Sequence, residues 1–292
     1  MGNIPQPAPR WGIFPNLCLL AKVLQKPSSQ KKSLFAKKGV DRTHLFHILK
    51  GMIITQNLLT SGNTKILKGQ KLGYITYGIH FAPANLSGFE VCSARSEGCT
   101  LACLNTAGRG RMQGTQDARI AKTILFFKHK QAFLDKLSKE IASKIKSAKK
   151  KNMEAVFRLN LTSDLPWERI RCQHDGKTIF EKFPEARFYD YTKVKSRMQA
   201  FLMGQKMPEN YHLTFSRSED DRNDYLTQKV LQSGGNVAIV FRNKLPENWN
   251  GFEVIDGDDH DLRFLDSSGV VVGLIEKGMA KKDETGFVLE AV

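Results

Sequence analysis

Three cysteines within a short polar segment are the residues of this chain best suited to chemistry. Cys92, Cys99 and Cys103 lie in VCSARSEGCTLACLNTAGRGR, residues 91–111, with six and then three residues between successive thiols. Thiols at such short spacing commonly share one metal centre, and the glycines let the backbone wrap around it. Structural zinc and ordinary iron–sulfur clusters use four protein ligands, so three thiols predict a metal centre with one open position.

The sequence leaves two candidates for the metal. An iron–sulfur cluster of the 4Fe-4S type fits three thiolates and one open iron. Zinc is the inorganic alternative, with His80, His129 or a carboxylate as the fourth ligand. A disulfide framework is disfavoured, because five cysteines in 292 residues are few and odd in number.

A second set of polar residues follows the predicted strands. The carboxyl ends of parallel strands form the working face of α/β folds, so these residues should meet the cysteine segment at one site. The residues expected to handle substrate or cofactor are Asp164, Asp190, Lys193 and Glu219. The residues expected to contact a cofactor directly are Arg109, Ser163 and Ser216. The alternative explanation is that polar residues follow strands simply because chains turn in water.

The elements that must position these residues alternate between strands and helices. Residues 72–82 predict the first strand, because they are rich in β-branched and aromatic residues, and the cysteine segment follows it closely. Residues 117–150 predict one long amphipathic helix with Thr115 as its cap. Further strands are expected at 155–161, 187–191, 211–216, 236–242 and 252–256. A hairpin at the sheet edge is expected from 269–274 and 286–289.

This alternation predicts the α/β fold class. Strands joined by helical crossovers build a partial (β/α) barrel or an open, mostly parallel sheet with covering helices, and we favour the barrel. One domain is expected over residues 52–292, with the metal loop after its first strand. Residues 1–51 contain nine Lys or Arg and one acidic residue, and we expect a disordered basic extension there. Met52 is an alternative start of the native chain.

The charge and hydropathy of the chain limit the classes of partner that we expect. The net charge of +16 favours nucleic acid, although half of it lies in residues 1–51. The alternative function is therefore a nucleic-acid-binding protein whose zinc or cluster site shapes a loop, with phosphates contacted by Arg109, Arg111 and the lysines of 144–151. No apolar run could cross a bilayer, so no membrane partner is expected. The expected location is cytoplasmic, or an organelle matrix if the extension is a transit peptide.

Seven segments in order resemble the phage gene eighty-eight protein family, which occurs in phages and other mobile elements. The segments are VCSARSEGCTLACLNTAGRGR, RLNLTSDLPWE, FYDYTK, HLTFSRSE, NVAIVF, VIDGDDHDLRFLD and GVVVGLIEKG. The resemblance covers roughly residues 53 to 290. It implies a phage or mobile-element protein without an assigned activity.

The architecture is also similar, more distantly, to radical S-adenosylmethionine enzymes. There, three cysteines after the first strand of a partial (β/α) barrel hold a cluster with one open iron, which implies S-adenosylmethionine as a second cofactor. The spacing departs from that pattern, because those enzymes classically leave three and then two residues between ligands. Our first hypothesis is an iron–sulfur protein with redox or radical enzyme activity on an unspecified substrate.

Overall fold

The computed structural model describes residues 56–61, 68–205, 207–219 and 221–291. The extension expected at 1–51 and the alternative start at Met52 lie outside these residues. Within them, nine strands form one sheet. The strands are β1 Tyr74–Gly78, β2 Glu154–Arg158, β3 Arg187–Thr192, β4 Tyr211–Ser216, β5 Val237–Phe241, β6 Asn248–Trp249, β7 Phe252–Asp256, β8 Val271–Ile275 and β9 Val288–Leu289.

The strand order explains why one face of the sheet carries the helices. The order is β1-β2-β3-β4-β5-β8-β7-β6, with β9 also against β5. Every pair is parallel except β6 with β7. Because β1 to β5 are neighbours in chain order, each right-handed crossover returns over the same face. The predicted α/β class is confirmed as a mostly parallel sheet covered by helices, and the sheet does not close into a barrel.

The helices among the described residues are α1 Ala84–Ser87, α2 Glu97–Leu101, α3 Gln113–Lys128, α4 Lys130–Lys149, α5 Ile179–Lys182, α6 Lys195–Leu202 and α7 Asp221–Gln232. The single helix predicted over 117–150 is wrong, because the chain leaves helical geometry at His129, with φ −137° and ψ 52°. Thr115 lies inside α3 and does not cap it. No helix in the described ranges is both long and apolar enough to span a membrane.

The hairpin predicted at the sheet edge is also wrong. Val271 of β8 pairs in parallel with Val237 on one side and with Val254 on the other. Val288 of β9 pairs in parallel with Val240. Both segments add to strands that are distant in sequence, which a pattern of local alternation does not reveal. The first strand is shorter than 72–82, because residues 69–72 form a 3₁₀ turn that ends at Gly73.

Successive side chains of each strand point to opposite faces of the sheet, and the two faces differ in character. One face packs under the helices, where Phe157, Phe188 and Leu213 meet Phe133 and Leu137 of α4 in the main core. Burying each such side chain stabilises the fold by roughly 1.5–3 kcal/mol. The opposite face, called the polar face below, carries Thr76, His80, Arg158, Tyr189, Tyr191, Thr214 and Ser216. Leu262 and Phe264 pack on its lower part, beside Tyr74 and Tyr189.

Candidate metal centre

Cys92 is held against the ends of β1 and β2. The backbone N–H of Asp164 donates to the Val91 carbonyl at 2.7 Å, and Thr162 Oγ1 donates to the Phe81 carbonyl at 2.8 Å. The Cys92 thiol lies 3.9 Å from the Thr162 carbonyl, to which it donates. Burial raises the pKa of Cys92 to about 12, and the charge of Asp164 acts in the same direction. A positively charged centre beside this thiol would favour its thiolate form.

Cys99 lies in α2, and a carboxylate from the end of β4 fixes the start of that helix. Ser96 Oγ accepts from the Cys99 N–H at 3.3 Å and donates to Glu219 Oε2 at 2.6 Å. Glu219 Oε1 accepts from the Gly98 N–H at 2.6 Å. Both oxygens of Glu219 are therefore engaged by the cysteine segment. Burial raises the pKa of Cys99, whereas the positive charge of Lys193 opposes that shift.

Cys103 completes the group of thiols and precedes the 3₁₀ turn Leu104–Thr106. All three thiols are half-buried and none is in a disulfide. They lie within electrostatic range of one another, since Cys99 and Cys103 each raise the pKa of Cys92. Within the described ranges, no three His, Cys, Asp or Glu side chains form a group that could hold a single metal ion. A four-iron cluster spaces its thiolates more widely, because each thiolate binds a different iron.

The two histidines considered as fourth ligands lie in different surroundings. His129 lies between α3 and α4, at the carboxyl end of α3. His80 follows β1 on the polar face, where burial and the charges of Arg119, Lys122 and Arg158 lower its pKa to about 3. Its imidazole is therefore neutral at physiological pH.

Lys193 and Ser216 lie beside Cys99 at the ends of β3 and β4. Lys193 Nζ donates to Ser216 Oγ at 3.0 Å and to the Arg217 carbonyl at 2.6 Å. It also lies 4.9 Å from the centre of the Phe287 ring. Burial lowers the pKa of Lys193, and the negative charges around it oppose this shift. These contacts hold a cation close to the Cys99 sulfur.

Asp164 is fixed by a buried ion-pair network below the cysteine segment. It accepts from the Lys193 N–H at 2.8 Å and from Thr192 Oγ1 at 3.2 Å, and it pairs with Arg197. Arg197 also binds both oxygens of Glu168 at 2.9 Å. Burial raises the pKa of Asp164, and Arg197 opposes this effect. The Asp164 carboxylate is thus engaged by the neighbouring strand ends.

Asp190 and Ser163 lie deeper than the thiols. Asp190 is fully buried on the helix-covered face, where it accepts from the Asn160 N–H at 2.8 Å and the Tyr211 hydroxyl at 3.1 Å. Burial raises the pKa of Asp190 to about 7. Ser163 Oγ donates to Asn160 Oδ1 at 2.7 Å. Both residues therefore support the strand ends from below.

The basic residues of the nucleic-acid alternative fall into two groups. Arg109 and Arg111 are exposed in the 3₁₀ turn Gly108–Arg111, on the carboxyl side of the sheet. The lysines of 144–151 lie at the end of α4, directly before β2 begins at Glu154. Strand β2 starts at the amino edge of the sheet, so the last of these lysines lie near that edge, whereas Lys144 Nζ lies 5.5 Å from the centre of the Tyr77 ring.

Several residues that build this site were missed from the sequence. Ser96, Gly98, Glu168 and Arg197 position the cysteine segment or Asp164, yet none is among the predicted site residues. A local signal existed only for Ser96, because serine followed by Glu97 is typical of a helix start. Arg197 contacts partners about 30 residues earlier, which no local pattern indicates.

Comparison with known proteins gives one match. A family model described as Gene product 88 matches residues 57–291, which include the three cysteines and all the strands described above. No curated protein and no solved structure matches the chain. The likeness to radical S-adenosylmethionine enzymes therefore receives no support from these comparisons.

Proposed function

The chain belongs to the Gene product 88 family, a phage protein family, and we propose that it is a metal-binding protein with an iron–sulfur cluster of the 4Fe-4S type. Cys92, Cys99 and Cys103 would hold the cluster. The observation that carries this proposal is the gathering of three half-buried thiols in mutual electrostatic range at the carboxyl edge of the sheet. A bound cluster would supply one-electron transfer at this edge.

The surroundings of the thiols support a centre of this charge. Three thiolates bring negative charge into a partly buried region, and nearby cations reduce the cost of that burial. Lys193 acts on Cys99, and Arg119 acts on Cys103. In the described part of the chain, neither cation has a carboxylate within ion-pair distance. Asp164 and Glu219 act on Lys193 from a longer distance, together with Cys99.

The backbone around the thiols supports a fixed arrangement of ligands. Cys92 is tied to the ends of β1 and β2, and Cys99 is tied through Glu219 to the end of β4. Ligands on backbone that the sheet fixes lose less freedom when a metal centre binds. Redox or radical chemistry on a small substrate is the activity we propose, because three thiols leave one iron open.

Elemental analysis of protein purified without oxygen tests the proposal. We expect iron and acid-labile sulfide in the wild type, and loss of both in Cys92→Ser, Cys99→Ser and Cys103→Ser. Cys172→Ser is the matched control, because Cys172 is a buried core thiol in the loop before α5. Stoichiometric zinc without iron, or unchanged iron in all three variants, would refute the cluster.

The proposed radical chemistry has a separate test. The anaerobic protein is incubated with S-adenosylmethionine and dithionite, and the cleavage products are measured by chromatography. Cleavage that is lost in Cys99→Ser and kept in Cys172→Ser supports a radical enzyme. An intact cluster without cleavage excludes the radical version and leaves electron transfer.

A further inference from the structure

Four buried polar atoms at one level of the polar face have no hydrogen-bond partner within the described residues. They are His80 Nδ1, Arg158 Nε, Tyr191 Oη and Thr214 Oγ1. Each belongs to a different one of the four successive strands β1 to β4 or to the residues just after it. Folded proteins leave few buried polar groups unpaired, because such groups lose water without compensation. Four of them together therefore need a cause other than packing.

The four side chains are neighbours. Tyr191 and Thr214 are paired residues of β3 and β4, so their side chains lie side by side on the same face. The Arg158 guanidinium lies 4.5 Å from the centre of the Tyr191 ring. Arg158 is also one of the charges that lower the pKa of His80. Thr214 is completely buried, and the Arg158 side chain is only 12% exposed.

The hydroxyl groups at the levels above and below have internal partners, although His212 Nε2 beside Tyr189 is also unpaired within the described residues. One level below, the Tyr189 hydroxyl binds Thr76 Oγ1 at 3.0 Å and Asp261 at 3.3 Å. Asp261 also binds the Nη1 atom of Arg158 at 2.9 Å, which leaves the Nε atom of Arg158 unused. One level above, Ser216 is bound by the Lys193 ammonium. The layer of four unpaired atoms thus lies between Tyr189 and Asp261, which bind each other, and Ser216, which is bound by Lys193.

The chemistry of this layer indicates its ligand. Two hydroxyl groups and a guanidinium N–H are hydrogen-bond donors, and the neutral imidazole of His80 can donate or accept. Donors that converge beside a guanidinium cation bind oxyanions strongly. We propose that this layer binds a small molecule through its carboxylate or phosphate group, held by His80, Arg158, Tyr191 and Thr214. The proposal holds whether or not the thiols carry a cluster.

Isosteric removal of the two hydroxyls tests the proposal in the full-length protein. Tyr191→Phe and Thr214→Val each remove one oxygen with little change in shape. Thermal unfolding is followed in increasing inorganic phosphate or acetate, with ionic strength held constant by chloride. We expect one or both anions to raise the wild-type midpoint, and each variant to bind about tenfold more weakly. Without added anion, both variants should unfold at the wild-type midpoint or above it.

Tyr189→Phe is the matched control, because it removes a tyrosine hydroxyl from the same face one level lower. That hydroxyl has internal partners, so this variant should unfold at a lower temperature and keep the full response to the anion. A response to phosphate alone or to acetate alone identifies the group recognised. The proposal is overturned if neither anion stabilises the wild type, or if Tyr191→Phe responds as strongly as Tyr189→Phe.

Discussion

Glu219 Oε1 accepts a hydrogen bond from the backbone N–H of Gly98 at 2.6 Å, although 121 residues separate the two. The second oxygen accepts from Ser96 Oγ, so one carboxylate satisfies two donors at the first turn of α2. A negative charge at this end of a helix is also favourable. The position of Cys99 therefore depends on the end of a strand far along the chain.

Replacing Glu219 should loosen the helix that carries Cys99. Glu219→Ala leaves the Gly98 N–H and Ser96 hydroxyl without their acceptor, which should lower the free energy of unfolding by about 1–3 kcal/mol. Urea titration measures this loss, and iron content should fall in the same variant. Glu97→Ala is the control, because Glu97 is an exposed acidic residue of the same turn. Equal losses in both variants would show that the contacts of Glu219 are not the cause.

Two glycine substitutions should change stability in opposite directions. A Cβ atom on Gly98 would lie 2.2 Å from Thr285 Oγ1 and 2.5 Å from the Cβ of Phe287, so Gly98→Ala should displace α2 and lower stability by about 1–3 kcal/mol. Gly114 in α3 has open space around it, so Gly114→Ala should stabilise by about 0.5 kcal/mol. Chemical denaturation measures both changes, and a neutral Gly98→Ala would contradict the close packing.

Removing the Arg197 cation should strongly lower the free energy of unfolding, because this cation lies between two buried carboxylates. Arg197→Met leaves Asp164 and Glu168 without their partner and should reduce the free energy of unfolding by about 3–5 kcal/mol. Arg171→Met provides the comparison, because Arg171 pairs with Glu181 at an exposed position. That variant should lose less than about 1 kcal/mol. Similar losses measured in urea would argue against a central role for the buried network.

Asp190 should make stability depend on pH. Its folded-state pKa of about 7 lies above the ordinary value of 3.8, so the folded protein binds this proton more tightly than the unfolded chain. Its contribution is therefore complete below about pH 4 and is lost as pH rises through 7. Asp190→Asn stays neutral, so its stability relative to wild type should rise between pH 4 and 8, by up to about 4 kcal/mol.

Urea titrations of both proteins across that pH range provide the measurement. Asp259→Asn is the control, because Asp259 is exposed. If the Asp190→Asn difference changes with pH no more than the Asp259→Asn difference does, the burial of the Asp190 carboxyl does not govern its protonation.

The sequence predicts the central strands well because their signal is local. Runs such as residues 187–191 and 211–216 are dense in aromatic and β-branched residues, and β3 and β4 lie there. The break at His129 was missed because apolar residues continue at helical spacing on both sides, and Phe126 and Phe133 enter the same core. The positions of β8 and β9 depend on their pairing with β5, which is a long-range property.

The sequence indicates which residues gather at the strand ends, but it indicates the role of each residue only in part. Cys99 lies near Cys92 and Lys193, and Lys193 binds Ser216, as convergence of the strand ends requires. Glu219 was expected to handle substrate, yet both its oxygens hold α2. Such a role follows from three-dimensional contacts, and residue type at a strand end cannot specify it. The unpaired polar layer likewise appears only once the register of four strands is known.

The packing of Gly98 against Thr285 and Phe287 also sets the order of events during synthesis. A ribosome adds about 5–20 residues per second, so residue 287 follows residue 98 by roughly 10–40 s. Until then the nascent chain exposes its three thiols without the surface that buries α2. These sulfurs are therefore more accessible to oxidants during translation than they are in the folded chain.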